Sequence, residues 1–169
     1  PMSETRYAVA PPVQASVPVA GSDLRFPVRR IYCVGRNYAA HAREMGGDPN
    51  REAPFFFSKP ADAVVAGGGE APYPSATADL HHEVELVIAI GGEGADLSLE
   101  TARAAIWGWA VGVDLTRRDL QAAAKKEGRP WDSAKGFDAS APIGAITPVA
   151  ALAEPSGRIR LSVGGETRS

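Results

Sequence analysis

"LHHEVELVIAIG", Leu80 to Gly91, reads as a β-strand that carries two glutamates among aliphatic residues. Side chains alternate across a strand, so Glu83 and Glu85 share one face, with Cα atoms roughly 6.6 Å apart. Leu86, Ile88 and Ile90 are expected to point the other way, into the core. Two half-buried carboxylates repel each other and lose hydration, so the pattern calls for positive charge between them. The plain alternative is a polar strand face washed by solvent. His81 shares the glutamate face, however, and Val87 and Ala89 continue it as apolar. Hard oxygen donors at this spacing suit Mg²⁺ or Mn²⁺. Asp114 offers a third acid, at the end of the apolar strand "WGWAVGVDL" and just before a helix start. Its competing reading is an acid that favours the positive end of that helix.

Around this strand the chain reads as one globular unit. It has 169 residues, 44% of them hydrophobic and 22% charged, enough for a sizeable core. A formal net charge of −2 makes no electrostatic case for nucleic acid or an anionic membrane. No apolar run approaches a membrane-spanning length, and no basic-then-apolar start suggests a signal peptide. The single Cys33 has no partner for an internal disulfide, which fits a reducing cytoplasm. It lies in the apolar run "RIYCVG" and reads as an inert buried thiol rather than a nucleophile. The 18 glycines and 14 prolines favour short strands and turns over long helices.

Residues 1–26 read as an extended arm with room for a short strand or two, and residues 27–169 as the main domain. "RRIYCVG", "APFFFSKP" and "DAVVAG" read as strands, and "NYAAHAREMGG" as a short helix capped by Asn37. "DLSLETARAAI" is a helix with Ser98 as N-cap, and "TRRDLQAAAKKEG" one with Thr116 as N-cap and Gly128 as terminator. From Arg129 the chain reads mostly as loop until "RIRLSV", where alternation returns before the hairpin signal Gly164-Gly165. A hairpin that stops soon after its turn leads us to expect a longer native polypeptide.

Two further groups carry chemistry. His41 and Glu44, three apart on one helix, share a face; a carboxylate beside an imidazole raises its basicity, as a water-activating base requires. A surface ion pair is the alternative. Lys135, in the Gly- and Pro-punctuated stretch "WDSAKGFDASAPIG", is placed to stabilise an oxyanion, or else is solvated like most lysines. Phosphate-loop, dinucleotide-binding, nucleophile-elbow and zinc-ligand patterns are missing.

Taken in order, "VGRNYAAHAREMG", "PFFFSKPADAVV", "HHEVELVIAIG", "GVDLTRRDLQ" and "KGFDASAPIG" resemble the fumarylacetoacetate hydrolase family, in particular its fumarylpyruvate hydrolase and acylpyruvase members. The resemblance runs from about Phe26 to the C-terminus. It implies an α+β, β-rich fold, with mixed sheets rolled into the family's β-roll and short peripheral helices, here truncated at the C-terminus. It implies that Glu83, Glu85 and Asp114 ligate Mg²⁺ or Mn²⁺, and that His41 with Glu44 forms the water-activating dyad. Arg118, Gln121 and Lys135 match positions that hold substrate and stabilise charge, and Arg36 lies in the matching active-site turn. The implied activity is metal-dependent hydrolysis of a carbon–carbon bond in a 2,4-dioxo acid such as fumarylpyruvate. A cytoplasmic homodimer serving aromatic catabolism, acting on a small molecule with no nucleic acid or membrane partner, goes with it. One departure stands out: family members continue with a Thr-Gly-Thr-Pro segment and barrel-completing strands that have no counterpart here. Alternatives within the family are oxaloacetate decarboxylation and hydroxydienoate isomerisation; outside enzymes, a non-catalytic metal-binding fragment.

Overall fold

The glutamate strand pairs along its whole length with the strand that carries Asp114, and that ladder organises the molecule. The computed structural model describes residues 6–35 and 54–168. The predicted helix over 37–47, with Arg36, His41 and Glu44, lies outside the described residues.

β1 (Ser16–Pro18) and β2 (Arg25–Pro27) form an antiparallel hairpin. These are the strands the arm had room for, and β1 places Val17 in the core at 1% exposure. β3 (Ile31–Gly35) pairs antiparallel with β4 (Phe55–Lys59). A 3₁₀ turn over Ala61–Ala63 leads into β5 (Val64–Ala66). β6 (Leu80–Ile90) is the opening stretch, followed by α1 (Leu99–Ala104) and β7 (Ile106–Arg117). Then come α2 (Arg118–Glu127), α3 (Asp132–Lys135), β8 (Ala141–Ile143) and β9 (Thr147–Pro148). β10 (Ser162–Val163) and β11 (Glu166–Thr167) close a hairpin around Gly164-Gly165. Both glycines have positive φ, 58° and 87°, the conformation that makes Gly-Gly a tight-turn pair.

The central sheet runs β5-β8-β7-β6, with β9 also paired to β7. β5 and β8 are parallel; the other pairs are antiparallel, so the sheet is mixed. The result is the β-rich architecture with short helices that the sequence implied.

Three local expectations need correction. First, the faces of β6 are inverted. Val87 and Ala89, on the glutamate face, pack toward Val17, Val28, Ala110, Ile143 and Ile146, whereas Leu86, Ile88 and Ile90 are 37%, 48% and 54% exposed. Alternation says which residues share a face; the strands and loops packed against the sheet decide which face is inward. Second, Thr116 does not cap α2. β7 runs on through Arg117, which holds the N-cap position without a side-chain cap bond. Asp119, in the first turn of α2, accepts from Thr77 Oγ1 (2.5 Å) and from the Ala78 backbone N–H (3.0 Å), clamping the segment before β6. Third, "RIRLSV" is a strand only at Ser162–Val163; the stretch from Arg129 up to it is mostly loop as expected, with α3 and β8 bringing Lys135 to the sheet. Ser98 and Gly128 do cap their helices as expected, Ser98 accepting from the Thr101 backbone N–H and Gly128 taking a left-handed φ of 65°.

The core end of the ladder carries a β-bulge. Ala89 pairs with Gly108 and Ile90 with Ile106, so the register skips Trp107. The extra residue lets Trp107 pack on the core cluster, its ring 5.2 Å from Phe26. A side chain at Gly108 would meet Ile146 and the Thr147 carbonyl oxygen at 2.6 Å, so glycine is what lets β9 approach.

Candidate active site

Register does the first part of the assembly. Glu83 lies opposite Asp114, and Glu85 opposite Gly112, so all three acids project from one face of the β6–β7 ladder. A Cβ at Gly112 would come within 2.8 Å of Val87 Cγ2 and 3.2 Å of the Pro142 carbonyl, so the backbone stays bare beside Glu85.

The positive charge that the paired carboxylates call for comes from three elements. Lys135, the last residue of α3, is 2% exposed; its Nζ donates to Glu83 Oε2 (2.9 Å), Asp114 Oδ2 (2.6 Å) and Thr116 Oγ1 (2.6 Å). The Phe57 ring covers it, 4.9 Å from Nζ to centroid. Arg118, at the start of α2, bonds Glu83 Oε1 through Nη2 and Gln121 Oε1 through Nη1 (2.6 Å). Lys59, the last residue of β4 and 3% exposed, stands 2.9 Å from Asp114 Oδ1. Its Nζ also donates to the backbone carbonyls of Leu115 (3.0 Å) and Lys135.

These contacts shape the acid–base state of the cluster. Burial works against the charge of Glu83, but Lys135 and Arg118 more than offset it and hold the carboxyl below its ordinary 4.5. Burial lowers Lys59 below the usual lysine value, and the facing Asp114 carboxylate pulls the other way. Cys33, whose surroundings include Asp114, Lys59 and Glu85, is pushed up to about 11, chiefly by burial. A thiol held that high stays protonated near neutrality and is a poor nucleophile, in line with the inert reading.

The predicted residues are thus partly gathered. Glu83, Asp114, Arg118, Gln121 and Lys135 form one bonded cluster, with Glu85 on the same face. His81 stands apart in a half-exposed pair with Asp79 at 3.0 Å. Lys59 and Thr116 are additions that the sequence reading missed. The signal for Lys59 was present in "PFFFSKP": a lone lysine ending an aromatic strand poses the same question as the glutamates of β6.

The donor chemistry fits a hard divalent cation. Carboxylates crowd one face, and Asp114 Oδ1 is buried without a well-formed hydrogen bond, keeping acceptor capacity in hand. Among the described residues no three acidic, histidine or cysteine groups already form a gripping set, and Lys135 Nζ stands between Glu83 and Asp114.

A β-rich fold with mixed sheets and a buried carboxylate–lysine cluster on the central ladder defines a fumarylacetoacetate-hydrolase-type fold. The family model "Fumarylacetoacetate (FAA) hydrolase C-terminal" matches residues 30–169. The chain belongs to the fumarylacetoacetate hydrolase family. It is 55% identical to a fumarylpyruvate hydrolase from Pseudomonas aeruginosa, solved in complex with Mn²⁺ and pyruvate; the match covers 97% of this chain and 72% of that one, with a TM-score of 0.91. It is also 44% identical over 140 residues to the mitochondrial oxaloacetate tautomerase FAHD1 of Arabidopsis thaliana, covering 82% of this chain. A third relative, the fumarylpyruvate hydrolase of a Ralstonia species, is 39% identical over 121 residues, 72% of this chain. The chain spans 62% and 63% of the lengths of these two curated relatives. Members of the family are enzymes, and the Mn²⁺ in the Pseudomonas structure supports divalent-metal binding.

Proposed function

We propose that this chain forms the catalytic part of a divalent-metal-dependent hydrolase that splits fumarylpyruvate, or a similar 2,4-dioxo acid, into a carboxylic acid and pyruvate. The observation that carries this reading is the likeness to the Pseudomonas enzyme, which was solved with pyruvate, across nearly the whole chain. Glu83, Glu85 and Asp114 would hold the cation, which when bound supplies a Lewis acid for negative charge developing on the oxo acid. His41, paired with Glu44, takes the proton of the attacking water, whose oxygen bonds to the 4-carbonyl carbon. Lys135 and Gln121 would face the resulting oxyanion, Lys135 giving up its bond to Glu83 while Thr116 keeps hold of its ammonium. Arg118, steadied by Glu83 and Gln121, and Arg36 bind the substrate carboxylate. The C3–C4 bond then breaks: C4 leaves as the carboxylic acid, and C3 takes a proton to give pyruvate. The protein acts as a cytoplasmic homodimer in the breakdown of aromatic rings.

A second reading is supported by the relative named an oxaloacetate tautomerase. The same cation and lysine would stabilise the enolate-like charge of oxaloacetate without water attack. A panel of fumarylpyruvate, shorter acylpyruvates and oxaloacetate, each assayed with and without Mn²⁺ and Mg²⁺, separates the two. Pyruvate released from fumarylpyruvate only with metal is the expected result. Turnover of oxaloacetate alone would favour the second reading.

A further inference from the structure

Lys59 is shut away from solvent among protein oxygens. At 3% exposure, its Nζ donates to the Leu115 and Lys135 carbonyls and ion-pairs with Asp114 Oδ1 at 2.9 Å. Its three neighbours are all protein oxygens, two carbonyls that accept hydrogen bonds and one carboxylate held as an ion pair. The two oxygens of Asp114 are divided between two lysines: Oδ1 faces Lys59, and Oδ2 accepts from Lys135 at 2.6 Å. This division fixes the rotation of the carboxylate. The bond to the Lys135 carbonyl also fixes the end of α3, from which the Lys135 side chain departs. Lys59 itself comes from β4, which pairs with β3 and not with the central sheet, so it ties a second layer of the fold to the site.

We propose that Lys59 is a positioning residue for the site: it sets the Asp114 carboxylate and the root of Lys135 in the arrangement that receives the divalent cation. This role rests on the metal-dependent reading above. It makes a prediction opposite in sign to simple electrostatics. A cation 2.9 Å from a would-be metal ligand repels the metal, so on charge alone its removal tightens binding. If Lys59 positions the ligand, its removal loosens binding, as loss of a ligand's supporting partner does, by roughly 10- to 100-fold.

The test is calorimetric titration of Mn²⁺ into the wild-type chain, Lys59→Met and Lys59→Arg, each well below its own melting temperature. Lys59→Arg keeps the charge but cannot reproduce the three contacts of a compact ammonium. The expected result is weaker Mn²⁺ binding in both variants, by about tenfold or more. Should Lys59→Met fail to fold, Lys59→Arg decides alone. Wild-type affinity in Lys59→Arg, or tighter binding in Lys59→Met, would overturn the positioning role while leaving the metal reading intact. No Mn²⁺ binding by the wild-type chain would overturn both.

Discussion

The β6–β7 ladder presents one face with two unlike ends. At one end Val87, Ala89 and Ala110 meet Val17, Ile143 and Ile146, and the packing is apolar. At the other, Glu83 and Asp114 meet Lys59, Lys135 and Arg118. The apolar end is held by area and shape, which a neighbour can partly accommodate when one side chain changes. The charged end is held by partners that compensate one another, so removing one strands the rest. The core end therefore anchors the ladder, and the charged end is where we propose that the anchored ladder serves chemistry.

Asp114→Ala should separate the ends most sharply. It leaves Lys59 and Lys135 buried without their shared carboxylate, and breaking such a pair costs about 3–5 kcal/mol. Urea unfolding should show that loss, and Mn²⁺ binding should disappear with it. Ala89→Leu strikes the other end, at 5% exposure, where overpacking costs about 1–3 kcal/mol. Ala89 lies about 20 Å along the strand from Glu83. This variant should melt earlier yet bind Mn²⁺ as the wild type does; a joint loss would erase the distinction between the ends.

The smallest expected effect is in acid. Glu83 is held below its ordinary 4.5 in the folded state, so its pairing contributes stability above that value. The contribution drains away as pH falls through the lower folded value. Wild-type stability should accordingly drop below about pH 4.5, and Glu83→Gln should show a shallower drop across the same window. Equal slopes in guanidinium unfolding at stepped pH would assign the acid sensitivity to other groups.

Much of this was legible before any coordinates. A period of two placed Glu83 and Glu85 on one face, and an apolar strand ending in an acid pointed to Asp114. The demand for positive charge near them followed from repulsion and lost hydration alone. What the sequence could not give was which face of β6 turns inward, because residues as distant as Val17 and Ile146 decide it. Thr116 was misread because a threonine just before a helix usually caps it. Here the strand runs one residue further, and the hydroxyl goes to Lys135. Lys59 was passed over because a lysine before a proline usually sits at a solvated turn; its burial depends on Asp114, 55 positions on. Arg36, His41 and Glu44 lie outside the described residues, so the water-activating dyad rests on the family resemblance.

The central claim is that the charged end of the ladder is a divalent-cation site built by Glu83, Glu85 and Asp114. A crystal of the protein soaked in Mn²⁺ and measured at the manganese absorption edge tests it most directly. The account predicts an anomalous peak among these three carboxylates, with oxygens from each within coordination distance and Lys135 Nζ no longer between Glu83 and Asp114. Glu83 and Asp114 still bridged by Lys135, with no anomalous peak beside them in saturating Mn²⁺, would contradict it.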